Sequence, residues 1–373
     1  MNFVVSSTAL LKHLQSVSGV INTNAVLPIL ENFLFEVKGG KLTISTTDLN
    51  TSMTTSLAVE GKEDGVVAVP SKILLETLKT TPEQPIRFQV NTENFAIELS
   101  TDKGKYKLSG ENGDDFPKIP EVSQPIVFTV PAERLLKALA TSLFAVGNDE
   151  LRLAMTGLFV ELHETGMNVV GTDAHKLVLH KIKNLAIPEA GSFIVPKKAV
   201  NLLKSALPSN NTEVKVEYNK TNVFFSFDET TLICRLIDQK YPDYNAVIPI
   251  NNPNKLRANR TEFLNALRRS SIYSNKTTYQ VRLKLTGNKL VISAEDYDFN
   301  NAAVEEMLVE YDGQDMEIGF NAKFLIDMLN NIDSTDISFE LSMPTRPGLM
   351  FPGESNNDEE TLMLIMPVMI AAN

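Results

Sequence analysis

A chain of 373 residues that is 43% hydrophobic and 22% charged is long enough for two to four domains, and its globular composition excludes wholesale disorder, collagen and coiled coil. Its one cysteine, Cys234, excludes a disulfide framework and a multi-cysteine metal site, while the lack of any apolar run of ~18 residues and the plain start at 1–6 (MNFVVS) predict no membrane span, no signal peptide and a reducing cytoplasm. Lys+Arg at 35 against Asp+Glu at 46 gives a net charge of −11, which excludes a uniformly basic nucleic-acid binder but not a locally basic one.

In chain order, a strand, a cap-like residue and a run of apolar positions at helical spacing appear at 3–14 (FVVSSTALLKHL). The pattern returns at 128–139 (FTVPAERLLKAL) and, more diverged, at 256–267 (LRANRTEFLNAL). A second element recurs at the same period, at 69–75 (VPSKILL), 195–200 (VPKKAV) and 320–325 (FNAKFL). Proline in the first two suits the first helical position, where its missing N–H costs nothing. A third element is a strand ending in an acid, at 42–48 (LTISTTD), 169–173 (VVGTD) and 290–295 (LVISAE). Three features in one order at one period predict three homologous domains, 1–125, 126–250 and 251–373, with Pro- and Asn-rich junctions at 117–125 and 249–254. Leu10, Leu11 and Leu14 align with Leu74, Leu75 and Leu78, so each domain is itself doubled. Alternating strands such as 66–69 (VVAV) and 223–227 (VFFSF) dominate the remainder. The expected fold class is α+β, with two helices per domain packed on antiparallel sheet.

The predicted helices hold Lys12, Lys72, Lys79, Arg134, Lys137, Lys197, Lys198, Lys204, Arg268, Arg269 and Lys323 against Glu76, Glu133, Glu262 and Asp327, a net +7 in a chain of −11. Helices facing one way and sheets the other would give a basic and an acidic surface. Basic charge without base-reading motifs means phosphate contacts, which position a protein on a duplex without reading sequence. Ordinary solvated helix faces would carry the same charge, so this pattern alone leaves both readings open. Size narrows the choice. A domain of this length is about 36 Å across, three in a ring leave a hole of about 6 Å, and six leave about 36 Å. A duplex is at least ~16 Å across. One chain is too small to encircle DNA, and a head-to-tail pair is the simplest closed ring that does so.

No catalytic signature is present: no phosphate-binding GxxxxGK[ST], no strand-associated GxGxxG and no G-x-S-x-G. The stretch 296–301 (DYDFNN) begins like a calcium loop, but Asn301 stands where glycine is needed and Met307 where the bidentate glutamate belongs. His175 and His180 lack further zinc ligands, and Cys234 sits in an apolar strand that predicts a buried, inert thiol. No cofactor and no metal are expected. Two segments do suggest a binding surface. The turn 171–177 (GTDAHKL) mixes polar and apolar groups between strands, and the chain ends in 362–370 (LMLIMPVMI). An apolar, Met-rich terminus is unusual; its first residues read as a last core strand, and those beyond Pro367 as the wall of an adaptable groove.

Taken together, 10–19 (LLKHLQSVSG), 27–32 (LPILEN), 171–177 (GTDAHKL), 241–244 (YPDY) and the terminal Met366-Pro367, in this order on a threefold repeat, resemble the bacterial DNA sliding clamps, the beta subunits of the replicative polymerase. The resemblance covers the whole chain. It implies a non-enzymatic, head-to-tail dimeric ring of six domains whose helices line a hole for duplex DNA. It implies as partners duplex DNA without regard to sequence, the replicative polymerase, the clamp loader and other proteins with a clamp-binding peptide. Carried onto matching positions, the peptide pocket holds Met155, Thr172, Ala174, His175, Leu177, Pro242, Val247, Pro347, Leu364, Met366 and Pro367, with Val368 and Met369 at its rim. The dimer seam matches Tyr106, Leu108, Ile272 and Tyr273, and the DNA contacts expected are Lys12, Lys72, Lys137, Arg152, Lys197 and Lys198.

Departures from the family pattern are local. Asn24 lies in 22–26 (NTNAV), where the family often has a DNA-contacting Arg before the LPIL stretch. Ala174 and Lys176 stand where Gly and Arg are frequent, and Ala246 and Met369 replace further arginines. The resemblance therefore implies a less basic, more apolar pocket than in relatives with those arginines. The alternatives are a threefold scaffold that binds peptides but does not encircle DNA, and an enzyme whose site hides in an inter-domain cleft.

Overall fold

The computed structural model describes residues 1–22, 26–354 and 357–370. Six helices each begin where a strand ends, which is the repeated unit read from the sequence. They are α1 (Ser7–Val17), α2 (Ser71–Lys79), α3 (Ala132–Leu143), α4 (Lys197–Ala206), α5 (Arg260–Ile272) and α6 (Ala322–Asn330). Side-chain caps fix three of the starts. Ser6 Oγ accepts from the Ala9 N–H at 3.2 Å, Asn259 Oδ1 from Thr261 and Glu262 at 3.1 Å each, and Asn321 Oδ1 from Lys323 at 2.9 Å. Pro70 and Pro196 sit one residue earlier than expected, and Pro131 holds the same place before α3. Pro70 is the N-cap of α2, and Pro131 and Pro196 end the strands Ile126–Pro131 and Gly191–Pro196. Pro70, Pro131 and Pro196 still pair in register with Asn32, Glu213 and Gly157, so each closes a strand rather than opening a helix.

Each helix buries one stripe, such as Leu10, Leu14 and Val17 on α1 or Leu325, Met328 and Leu329 on α6. Among the described residues every ladder is antiparallel, and the strands form four sheets. The chain divides into two units by its internal contacts, residues 1–133 with 198–236, and residues 134–197 with 237–373.

In the first unit, a five-stranded sheet runs in the order Glu60–Glu63, Asn2–Ser6, Pro85–Val90, Ala96–Ser100, Lys105–Ser109. A nine-stranded sheet beside it is continuous across the repeat boundary. Thr51–Ala58 pairs with Thr230–Arg235, so strands of the first repeat and of the middle repeat share one ladder. Phe3, Phe33, Phe35 and Phe88 are fully buried there, with Phe3 stacked on Phe88 at 4.9 Å. Cys234 lies in the same sheet, and burial pushes its thiol up to about 12, so it is not a reactive nucleophile.

The second unit has the same plan. A nine-stranded sheet joins the other half of the middle repeat to the last repeat, through Lys176–Lys183 paired with Glu359–Ile365. A four-stranded sheet follows, in the order Asn301–Leu308, Lys289–Asp296, Gln280–Thr286, Met316–Asn321. Its core includes Phe263, Leu267, Phe320, Leu325 and Phe339. Arg260, absent from the helical charges counted in the sequence, opens α5 but donates to Ser334 O at 2.9 Å and Leu329 O at 3.0 Å, tying α5 to the end of α6.

Candidate functional site

The turn at 172–176 is built by its own side chains. Thr172 Oγ1 donates to Lys176 O at 2.7 Å and accepts from the Ala174 N–H at 3.1 Å. Asp173 Oδ1 accepts from the N–H groups of His175 and Lys176, at 2.9 Å each. Closing the loop puts Ala174 at φ +74°, the left-handed region that favours glycine. The terminal segment is fastened to this turn, because the Met366 N–H donates to His175 O at 2.9 Å. Two residues on, the Val368 N–H donates to Gly319 O at 2.9 Å, and a Cβ on Gly319 would lie 2.7 Å from Val368 O. Gly319 is therefore a close-approach position for the chain end.

Beneath the turn, Leu177 and Leu364 stand opposite each other on paired strands, and Leu349 faces Leu364 from the next. All three are buried in one cluster with Val170, Leu179, Ile194, Tyr241 and Tyr244. Phe159 stacks on Tyr241 at 4.5 Å. Gly147 joins Met155 to the turn, since its N–H reaches Met155 O at 2.9 Å and Thr172 O at 3.4 Å. The structure thus brings together Met155, Thr172, Ala174, His175, Leu177, Leu364 and Met366 through direct bonds or strand register. Pro242 and Val247 are exposed on the segment that follows Tyr241, and Pro347 precedes Gly348, which pairs with Ile365. Pro367 and Val368 are half-buried, and Met369 is 79% exposed. Val247 at 49% and Met366 at 39% add apolar surface nearby.

Several residues of this region escaped sequence reasoning. Phe159, Ile248 and Phe351 pack on the cluster, yet they read in the sequence as ordinary strand or loop positions, and Tyr244 is marked there only as part of the 241–244 motif. Tyr244 donates to Glu161 at 2.5 Å, and Asn168 donates to Tyr244 at 3.1 Å. Burial and the bond to Glu161 push the Tyr244 hydroxyl up to about 12. Burial opposes the Glu161 charge, but the bonds from Tyr244 and Asn168 and the neighbouring His163 hold its carboxyl below the usual range. The network anchors the segment carrying Pro242 and Val247.

The six expected DNA contacts have different surroundings. Lys12 on α1 and Lys72 on α2 are exposed and have no ion-pair partner among the described residues. Lys137 on α3 pairs with Glu359 at 2.6 Å, where Arg134 also reaches the same carboxylate at 3.3 Å. Burial opposes the Glu359 charge, and the Lys137 ammonium nonetheless keeps its carboxyl below the usual range. Lys198 on α4 pairs with Asp48. Lys197 donates to Asn148 at 2.8 Å and Val146 O at 3.2 Å. Arg152 lies off the main helices, on the 3-10 segment Glu150–Thr156, paired with Asp149 at 2.8 Å. Asn24 lies outside the described residues.

Of the expected seam, Tyr106 is 43% exposed on the edge strand Lys105–Ser109, while Leu108 on the same strand is buried. Ile272, 64% exposed, and Tyr273, 44% exposed, close the C-terminal end of α5. Among the described residues no group of three His, Cys, Asp or Glu side chains is arranged to hold a metal, and no helix is long and apolar enough to cross a membrane.

Three family models tile the chain. They are the N-terminal domain of the DNA polymerase III beta subunit over 1–120, its central domain over 129–243 and its C-terminal domain over 245–369. The beta sliding clamp of Pseudomonas aeruginosa is 29% identical over 371 residues, covering 99% of this chain and all of that one. The beta sliding clamp of Escherichia coli K12 is 29% identical over 344 residues, 92% of this chain and 93% of the relative. Among solved structures, the Pseudomonas aeruginosa sliding clamp bound to griselimycin superposes with a TM-score of 0.94 at 28% identity, over 99% of this chain and 100% of that one.

Proposed function

The chain belongs to the bacterial beta sliding clamps, the non-catalytic processivity subunits of DNA polymerase III, and from that premise we propose that two copies close head to tail into a ring around duplex DNA. One observation carries the proposal. Two of the four sheets have nine strands because half-sheets of successive repeats join edge to edge. Among the described residues, the half-sheets at the two ends of the repeat series, of five and four strands, have no such partner. Joined between copies, the strand Lys105–Ser109 of one and Asn301–Leu308 of the other would complete a third nine-stranded sheet. The two edges carry opposite charge, Lys105 and Lys107 on the first against Glu305 and Glu306 on the second, with Lys105, Glu305 and Glu306 each also ion-paired within the chain. Exposed, unpaired edges of this kind are otherwise an aggregation hazard. Tyr106, Ile272 and Tyr273 supply apolar surface beside them.

Within this reading the repeats at 1–125, 126–250 and 251–373 are six ring segments in the pair. The basic residues of α1 to α4 contact phosphates without reading bases. The apolar cluster under the 172–176 turn, with Met366 and Met369 at its edge, receives a short apolar peptide from the replicative polymerase, the clamp loader and other partners, in the cytoplasm. The griselimycin-bound Pseudomonas structure supports a ligand site on this scaffold. Methionine side chains suit a groove shared by several related peptides.

The test is topological. Protein loaded onto nicked circular duplex should stay bound through a high-salt wash and be lost when the circle is linearised. Equal loss from circle and line would instead favour a scaffold that does not encircle DNA, for which the ion-paired state of Lys137 and Lys198 is the supporting observation.

A further inference from the structure

Lys176 sits in the pocket turn, yet its side chain does not serve the solvent. It is 6% exposed, and its ammonium lies 2.5 Å from Asp173 Oδ2 and 4.4 Å from the centre of the Phe324 ring on α6. The His175 ring stacks on the same phenyl, with centroids 6.0 Å apart and planes at 24°. Phe324 therefore takes a cation and an imidazole from consecutive residues of one turn. His175 in turn holds the chain end through its carbonyl to Met366. Asp327, one helical turn on from Phe324, is an exposed carboxylate near Lys176 and Lys323; desolvation, with Asp173 nearby, holds its carboxyl above the usual range although the two cations pull it down.

We infer that Lys176 is a positioning residue for the partner pocket: with Asp173 it clamps the 172–177 turn onto Phe324 and so sets where His175 and Met366 stand. The inference rests on the pocket reading above and assigns Lys176 a part in it other than direct contact with a partner's acidic groups. A cation held over an aromatic face in a partly desolvated setting is a strong, directional tie. An aliphatic residue of similar length would leave the partly buried Asp173 Oδ2 without its cation and free the turn from α6. Arginine keeps both the charge and the stack, so it preserves the device.

Two readouts test it in the full-length chain. The first is the ring-current shift of the His175 imidazole protons, read by NMR in wild type, K176M, K176R and F324L. The stack predicts an upfield shift in wild type and K176R that is lost in K176M and F324L. The second is griselimycin affinity, expected to fall by about tenfold or more in K176M and to change less than about threefold in K176R. If K176M does not fold, F324L carries the test, with the same two losses expected. Unchanged affinity together with an unchanged His175 shift in the folded variants overturns the inference. Failure of wild type to bind griselimycin overturns the pocket reading instead, and the NMR shifts still decide whether Lys176 and Phe324 position His175.

Discussion

At single residues, Ala174 and His180 carry opposite lessons. Ala174 adopts a backbone conformation that costs an L residue roughly 1–2 kcal/mol, and glycine gives back about 0.5–1 kcal/mol of that through its freer unfolded chain. A174G should therefore stabilise the second unit by roughly 0.5–1 kcal/mol, seen as a higher denaturation midpoint; a lower midpoint would mean that the Cβ contributes packing. His180 is fully buried, with Nδ1 2.9 Å from Thr361 Oγ1, and burial drives its pKa down from 6.5 to about 4. The unfolded chain takes up a proton near pH 6.5 that the folded one refuses until about pH 4, so stability falls as pH drops through that window. The full loss is on the order of 3 kcal/mol. H180Q should flatten the pH dependence of the melting temperature between pH 6.5 and 4.5. A slope identical to wild type would assign the acid sensitivity to carboxylates such as Glu359.

Among the elements, the proposed head-to-tail seam rests on the edge strands and the end of α5. Ile272 and Tyr273 are exposed in the single chain, and their burial in a seam is worth roughly 1.5–3 kcal/mol for a large apolar side chain. I272E combined with Y273E should give a folded monomer of 41.3 kDa by light scattering, where the proposed dimer gives wild type twice that mass. A variant that stays dimeric places the seam elsewhere. The helices and their strand starts were legible in the sequence because each depends on neighbours a few residues away: Leu10 and Leu14 on one face, Asn259 capping the next turn. The sheets that cross repeat boundaries were not. Thr51–Ala58 meets Thr230–Arg235, and no local pattern records a ladder between segments so far apart. The same holds at the pocket. The motif at 171–177 marked the turn, but the roles of Phe324, Tyr244 and Glu161 depend on contacts made only by folding. Leu108, matched to the seam by the resemblance, is buried within the single chain beside the exposed Tyr106.

For the whole molecule, a net charge of −11 must coexist with an affinity for a polyanion. Long-range repulsion between the chain and DNA keeps casual binding weak, and a topological tether does not need strong binding. In the proposed reading the basic helix faces and Arg152 supply the local attraction, but part of that charge is already engaged: Lys137, Arg152 and Lys198 each enter an ion pair with a carboxylate of the same chain. A phosphate must compete with Glu359, Asp149 and Asp48 for them, so their contribution is smaller than their number suggests. Binding should then be weak, indifferent to sequence, and steep in salt, with log K falling by about 0.9 per decade of salt for each phosphate neutralised. K197E with K198E removes two candidate contacts and leaves Asp48 facing a like charge, so it should lower both affinity and salt slope, with a lower melting temperature but a chain still folded at 25 °C. Anisotropy titrations on two duplexes of unrelated sequence, across 50 to 200 mM salt, measure all of this. A tenfold preference for one sequence at fixed salt, or an unchanged slope in the double variant, would mean that the α4 lysines are not phosphate contacts and that the basic helix faces serve the fold alone.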